Sequence, residues 1–433
     1  MTIEDKLRLH AERHPQQTAC ICGENRCSYG QLYELVCRKA ATLSYLRGRV
    51  VALMATPSID FVATYFAVHM AGAVAMPYSR GLPASDLKRC MDALEGQRFA
   101  PEIADILYTT GTTGTPKCVM VSHRAIAADA ENLVEAQGFT PDLTYIINGP
   151  LNHIGSLSKL YPTIWTGGTI HIIDGMKNLG AFFEAIEAAP EKVATFLVPA
   201  SIRMLMAFAK AKLATCAHKI DFIETGAAPM AQSDMEQLCR LLPTSRLYNT
   251  YASTETGIIS TFDFNAGECI AGCLGKPMRH SSLLITPEGL VTCKGETLMS
   301  GYWNAPEETR RILRDGTIYT SDFGCLDEKG RLRLKGRNDD IINVGGYKVS
   351  PVEVEDAALS FLAVKDCVCT TAVHPVIGLV LKLLVVPAAG FSVKALAEHL
   401  RTRLEPHKLP TLYESVERIR RTFNGKIDRK SYR

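Results

Sequence analysis

Tyr108-Thr109-Thr110-Gly111-Thr112-Thr113-Gly114-Thr115-Pro116-Lys117 is the stretch from which this 433-residue chain is best read. Its composition meets the needs of a bound polyphosphate. Glycines let the backbone come close to an anion. Clustered N–H groups and threonine hydroxyls donate to phosphate oxygens, and Lys117 adds a point positive charge. The spacing excludes the Gly-x-x-x-x-Gly-Lys-Ser/Thr loop, because Gly111 and Gly114 are three apart and Pro116 separates the lysine from the last threonine. A flexible Thr/Gly linker would not account for the flanking Tyr, Pro and Lys, so the stretch is read as a phosphate loop.

Ile106-Leu107-Tyr108 is a short apolar run leading into the loop. Beyond it, Ser122 caps an expected helix carrying Ile126, Ala130, Leu133 and Val134 and closed by Gly138, whose N-terminus stands too far along the chain to be counted on for the phosphates. Upstream, Ser28-Tyr29-Gly30-Gln31 reads as a capping box, with Leu32, Leu35, Val36, Ala40 and Leu43 on one helical face. Val50 to Met54 reads as a buried strand and Phe61 to Met70 as a helix ended near Gly72. Strand alternating with helix indicates an α/β layer structure. Only one helix, near Ala84 to Leu94, fits between Pro77 and Tyr108. From Leu247 to Leu334 short apolar runs separated by Gly, Pro and Asp indicate a β-rich region. A polar turn follows at Gly336 to Asp340. Past it, a strand at Leu379 to Val386 and a helix starting near Ser392 indicate a small α+β unit.

Composition excludes several function classes. The 48 basic and 45 acidic residues leave a net charge of +3, too small to imply a nucleic-acid partner. The 14 cysteines show no zinc-site spacing; the C-x-C pairs Cys20/Cys22 and Cys367/Cys369 fit alternate strand positions, as reduced core residues. Met1 to Lys6 holds no signal core. Val50 to Pro77 is interrupted by Pro57, Ser58, Asp60 and His69, and Leu379 to Val386 is too short and contains Lys382, so no membrane span is expected. A cytoplasmic protein is the expectation.

With the loop in hand, four further segments are recognisable. Tyr248-Asn249-Thr250-Tyr251-Ala252-Ser253-Thr254-Glu255, Tyr319-Thr320-Ser321-Asp322, the stretch from Gly336-Arg337-Asn338-Asp339-Asp340 through Gly345-Gly346-Tyr347-Lys348 to Glu353, and Asn424-Gly425-Lys426-Ile427-Asp428-Arg429 follow the phosphate loop in order. Together they resemble the signature segments of the adenylate-forming superfamily, which includes acyl- and aryl-CoA synthetases, the adenylation domains of peptide synthetases and firefly luciferase. They span nearly the whole chain.

The resemblance implies α/β and α+β architecture: a large N-terminal AMP-binding domain of layered sheets and helices with a β-rich subdomain (residues 1–336), a hinge (337–340), and a small mobile α+β C-terminal domain (341–433). It implies that Thr109, Thr110, Gly111, Thr112, Thr113, Gly114 and Lys117 hold the phosphates of ATP, with Gly226, Ala227, Ala228 and Tyr251 around the adenine and Asp322 and Arg337 on the ribose. Glu255 would ligate Mg²⁺, as a hard oxygen donor can, and Thr254 would bond the α-phosphate. Lys426 would be the electrostatic catalyst, Asp339 the hinge, and Gly345 and Gly346 the path for a thiol. His153, Gly155, Ala252 and Ser253 would border the acid. The chemistry agrees. A carboxylate is a poor electrophile until AMP replaces oxide as its leaving group, and bringing two anions together requires cations.

Two departures stand out. The glycine usual after the aromatic residue is Ala252, which narrows the acid pocket, and the Pro77–Tyr108 segment is shortened, so one or two βα units are expected to be missing. The Gly-Gly segment and the end of the chain at Arg433, just after Lys426, favour a stand-alone acid–CoA ligase, and a modest pocket with Ala252 and His153 favours an aromatic or short-to-medium apolar acid. The alternative is loading of the phosphopantetheine of a separate carrier protein.

Overall fold

The apolar runs on either side of the phosphate loop pair as an antiparallel hairpin, Ile103–Thr109 with Lys117–Ser122, closed by the register pair Thr109/Lys117. This computed structural model describes residues 1–109, 117–337, 340, 342–344, 347–375, 378–421 and 427–432, without the side chains of Thr109, Arg337, Lys348 and Lys430. The hairpin belongs to a five-stranded sheet ordered Gly301–Tyr302, Lys117–Ser122, Ile103–Thr109, Val74–Tyr78, Val50–Met54. The last three are parallel and use helices Ile59–Met70 and Ala84–Leu94 as crossovers. A single helix between Val74–Tyr78 and Ile103–Thr109 is what the shortened segment allows.

Local chemistry accounts for the helix starts. Ser28 and Gln31 form the reciprocal cap of helix Tyr29–Leu43, Ser58 Oγ accepts from the Phe61 N–H at 3.0 Å, and Ser122 Oγ from the Ala125 N–H at 3.1 Å. Helix His123–Gln137 ends at Gly138 in the left-handed conformation, φ +67°. Strand Lys117–Ser122 stands between the phosphate loop and this helix. At about 3.3 Å per residue the helix N-terminus is therefore carried to the far end of the strand, and it adds nothing to the loop.

A second sheet of fourteen strands runs the length of the large domain. Thr144–Ile147, Thr169–Ile172, Val193–Phe196, Ile220–Thr225 and Arg246–Ser253 form its parallel centre. The sheet continues, antiparallel, through Gly257–Asp263, Cys273–Pro277 and Leu332–Arg337 to Thr317–Leu326. That continuation is the β-rich region read from Leu247 to Leu334. One core lies between the sheets, with Tyr65, Phe66, Ile126, Leu133, Tyr145 and Phe222 in it. A second, holding Phe182, Ile186, Leu205 and Leu238, packs helices on the other face. Helix Ile59–Met70 is buried almost all round because it lies within the first core.

The smaller C-terminal unit packs helices Pro351–Leu359 and Val393–Arg401 on antiparallel strands Val364–His374 and Gly378–Pro387, with Leu412–Ser415 added in parallel. All fourteen cysteines are unbridged and none is exposed. Cys20, Cys367 and Cys369 are core residues, as the strand spacing implied, whereas Cys22, at the end of its strand, is only half-buried. Among the described residues no helix is long and apolar enough to cross a membrane.

Candidate active site

Lys117 leaves the phosphate loop at the first position of its strand, and what surrounds it was not legible in the sequence. Its ammonium lies 2.6 Å from Glu308 Oε2 and 4.7 Å from the centroid of the Tyr302 ring. The Tyr302 hydroxyl donates to Glu255 Oε1 at 2.9 Å. Burial, and then the Glu255 charge, push the Tyr302 phenol up, so it stays protonated as a donor. The hydrogen bond from Lys117 pulls the Glu308 carboxyl down. Tyr302 is placed by a two-residue strand, Gly301–Tyr302, added to the phosphate hairpin at Met120 and Val119. A lone Gly-Tyr carries no sequence signal for this task.

Glu255 and Thr254 occupy the tight turn joining Arg246–Ser253 to Gly257–Asp263. Ser253 and Thr256 lock that turn by exchanging side-chain-to-backbone bonds of 3.1 Å each. The Met299 N–H donates to the Glu255 carbonyl at 2.9 Å, tying the turn to the segment that ends in Tyr302. Ala252 is exposed at the rim.

Asp322 is not a turn residue but a central position of strand Thr317–Leu326, in register with Arg337. It is 7% exposed and accepts from the Tyr251 hydroxyl at 2.7 Å. Tyr251 is itself 6% exposed and packs in a small core with Ile259, Leu283 and Val291. Its observed contact is thus with the Asp322 carboxylate. Burial and then Asp322 raise its phenol above the usual range.

Small residues stand where the resemblance places the acid. Gly226 follows strand Ile220–Thr225; a Cβ there would lie 2.9 Å from the Thr250 carbonyl and 3.5 Å from the Phe196 ring. A Cβ on Gly155 would meet the same ring at 3.3 Å. Phe196 therefore fills the space between two glycines from different elements. Ala227 adopts φ +65° without being glycine, a strained conformation of the kind that clusters at ligand sites. His153 precedes the short helix Ile154–Leu157, its N–H on the Pro150 carbonyl at 3.1 Å. Beneath these lies a group that sequence reasoning missed. Lys159 and Glu224, each 1% exposed, pair at 2.9 and 2.8 Å.

Thr110, Gly111, Thr112, Thr113, Gly114, Asp339, Gly345, Gly346 and Lys426 lie outside the described residues, as do the side chains of Thr109 and Arg337. Their neighbours are described. Val344 and Tyr347 are register partners of a two-strand hairpin, with Gly345 and Gly346 between them in the chain. The Arg421/Ile427 bridge flanks the Lys426 segment. Two basic residues beside that segment are tied into the fold, while Arg418 and Arg420 are exposed. Arg429 makes two 2.7 Å bonds to buried Glu355, and Arg421 holds Asp366 at 2.8 and 2.7 Å.

Comparison with known proteins places this geometry in context. Residues 7–98 and 96–303 match the family described as AMP-binding enzyme, and residues 353–426 match its C-terminal domain. The chain is 28% identical to feruloyl-CoA synthase of an Amycolatopsis species over 343 residues, 75% of this chain and 68% of the relative. It is 26% identical to indoleacetate–CoA ligase of Aromatoleum aromaticum over 499 aligned positions, 99% of this chain and 96% of the relative. Among solved structures, ATP-bound MatB from Rhodopseudomonas palustris shares the fold with a TM-score of 0.88 at 22% identity, covering 100% of this chain and 98% of that one. The o-succinylbenzoate CoA synthetase MenE from Bacillus subtilis, bound to its acyl-adenylate, follows at 0.84 and 22%, covering 99% and 97%.

Proposed function

The chain belongs to the AMP-binding enzyme family of adenylate-forming proteins, and from that membership we propose that it is an AMP-forming acid–CoA ligase. The carboxylate of the acid attacks the α-phosphate of ATP, pyrophosphate leaves, and the acyl-AMP passes its acyl group to the thiol of CoA with release of AMP. The observation that carries this reading is the joining of two nucleotide-site carboxylates to the fold through tyrosines: Glu255 by Tyr302, beside Lys117, and Asp322 by Tyr251.

Each residue has a stated task. Lys117 offers charge to the β- and γ-phosphates, where Glu308 is its partner before ATP arrives. Glu255 is a hard oxygen donor held in place from one side, which fits Mg²⁺. Bound there, the ion neutralises triphosphate charge. Thr254, in the same turn, reaches the α-phosphate. Asp322 accepts from the ribose hydroxyls, and Tyr251 orients it. Lys426 offsets the charge that develops between carboxylate and α-phosphate. His153, Gly155, Ala252 and Ser253 border the acid. The Phe196 ring and the glycines beside it favour a flat, aromatic acid. Two relatives are named for feruloyl-CoA and indoleacetate, both aromatic.

Residues 337–340 act as the hinge between the large domain, 1–336, and a mobile C-terminal domain, 341–433. The unbridged cysteines accord with a cytoplasmic location. The test is acid-dependent exchange of labelled pyrophosphate into ATP with no thiol present, followed by a choice of acceptor. CoA is expected to be acylated. Release of ADP instead of AMP would sink the adenylation reading, and acylation of a phosphopantetheinyl carrier in place of CoA would sink the acceptor.

A further inference from the structure

The Lys159–Glu224 pair lies under the acid side of the cleft, and its surroundings say what kind of acid reaches it. On the sheet face that meets helix His123–Gln137, Phe196 and Glu224 are register partners on adjacent parallel strands. Gly226, which borders the cleft, is one side-chain row above Glu224, about 7 Å away, the span of one substituted aromatic ring. One row below, Ala194 stands in register between Tyr145 and Phe222, whose rings pack together at 6.1 Å between centroids and close the floor of the group. Lys159 closes the group from the segment carrying His153 and Gly155, its ammonium 5.7 Å from the Phe196 centroid.

Two polar atoms in this group have bonding capacity to spare. Glu224 Oε2, though within 2.8 Å of the Lys159 ammonium, accepts no well-directed hydrogen bond, and the Tyr145 hydroxyl has no partner. Both residues are at least 99% buried. Buried polar groups are normally hydrogen-bonded, and a buried ion pair is often replaceable by apolar residues without loss of stability. A wall built for a purely apolar acid has no use for these atoms.

Resting on the acid–CoA ligase reading above, we propose that Lys159 and Glu224 are specificity-determining residues. They select an aromatic acid bearing a hydroxyl at the ring end remote from its carboxylate. The hydroxyl donates to Glu224 Oε2 and accepts from Lys159 or the Tyr145 hydroxyl. Charge decides against a second carboxylate, since Glu224 already neutralises Lys159 and another anion would lie against it. A site built to bond a substrate hydroxyl discriminates strongly against the analogue lacking it, because its own polar atoms are then left unpaired.

The experiment measures kcat/KM by pyrophosphate exchange for benzoate and its 4-hydroxy, 4-methyl and 4-carboxy forms, and for cinnamate with the same substituents. The hydroxylated member of a series is expected to lead by at least tenfold, with the dicarboxylate last. In Lys159→Met combined with Glu224→Met, which strands no charge, that ratio is expected to fall to within about twofold of one, with thermal melting confirming the fold. If the double variant does not fold, Glu224→Gln, which removes the carboxylate acceptor, replaces it, and the ratio is again expected to fall. A wild-type preference for the unsubstituted or methylated acid overturns the proposal, as does an unchanged ratio in a folded variant, since a merely structural pair would depress all acids equally. Absence of exchange with every acid overturns the ligase reading as well, an outcome distinct from exchange without hydroxyl preference.

Discussion

At the scale of single residues, the role proposed for Lys426 predicts that its charge separates the two chemical steps. Adenylation brings a carboxylate against a triphosphate, and an ammonium placed between the reacting oxygens lowers that barrier. Lys426→Ala is expected to slow adenylation roughly a hundredfold to a thousandfold, about 3–4 kcal/mol. It should leave acyl transfer from supplied acyl-adenylate near the normal rate. Single-turnover rates from acid plus ATP, and from the adenylate, check this; a parallel fall in both would remove Lys426 from its role. A different residue governs stability against pH. His69 is fully buried, with Nδ1 2.8 Å from Glu4 and Nε2 2.9 Å from Asp105. Burial alone would lower its pKa, but bonding to Asp105 and Glu4 outweighs this and raises it from 6.5 to about 10. For Glu4, burial pushes upward while the His69 bond and charge carry the carboxyl down from 4.5 to about 2. The histidine contribution is complete below 6.5 and is lost as pH rises through 10; that of Glu4 is complete above 4.5 and is lost as pH falls through 2. The stability that this pair supplies should therefore hold between pH 4.5 and 6.5 and decline above, and the difference in melting temperature between the wild type and a His69 variant reads it. His69→Gln should cost about 3–5 kcal/mol, because two carboxylates lose a buried partner, and should flatten the decline toward pH 10. An unaltered alkaline slope would show that another group sets it.

At the scale of elements, the two-residue strand Gly301–Tyr302 does more than its length suggests. It extends the phosphate-loop sheet and delivers one hydroxyl to Glu255 and one aromatic face to Lys117. Tyr302→Phe keeps the face and removes the hydroxyl. The expected loss of stability is about 1 kcal/mol. Glu255 is then free to rotate, so KM for MgATP should rise severalfold while kcat changes less. If KM is unmoved while melting temperature drops, the hydroxyl supports the sheet and does not position the carboxylate. The capping serines act at the same scale, but only at the helix they start.

At the scale of the whole molecule, the proposed function asks one small domain to serve one active site in two ways. Lys426 must reach the α-phosphate, and Gly346, about 80 residues earlier, must face the acyl-adenylate for the thiol. The Arg429–Glu355 and Arg421–Asp366 pairs bind the residues flanking Lys426 to the body of the C-terminal unit, so that lysine travels with the unit. The proposed function therefore calls for reorientation about residues 337–340. Asp339→Pro, by fixing φ near −65°, is expected to trap one pose, sparing one half-reaction and slowing the other at least tenfold. Rates of pyrophosphate exchange and of thiol acylation, measured separately, check this, and equal losses in both would leave the swivel without support.

Much of the architecture was legible because its signals are local. Ser28 with Gln31, Ser122, Gly138 and Ser392 mark helix ends through bonds reaching three or four residues. The apolar faces behind them repeat with the period of the element that buries them. The family was legible because its signature segments stand in order along one chain. The contacts that organise the site were not. Tyr302 meets Glu255 across 47 positions, Lys159 meets Glu224 across 65, His69 meets Glu4 across 65 and Arg429 meets Glu355 across 74. Each is a common residue whose ordinary place is the surface. Which charge finds which depends on strand order and register, and those are set when the two sheets close over a shared core and exclude the water that would otherwise satisfy every one of these groups.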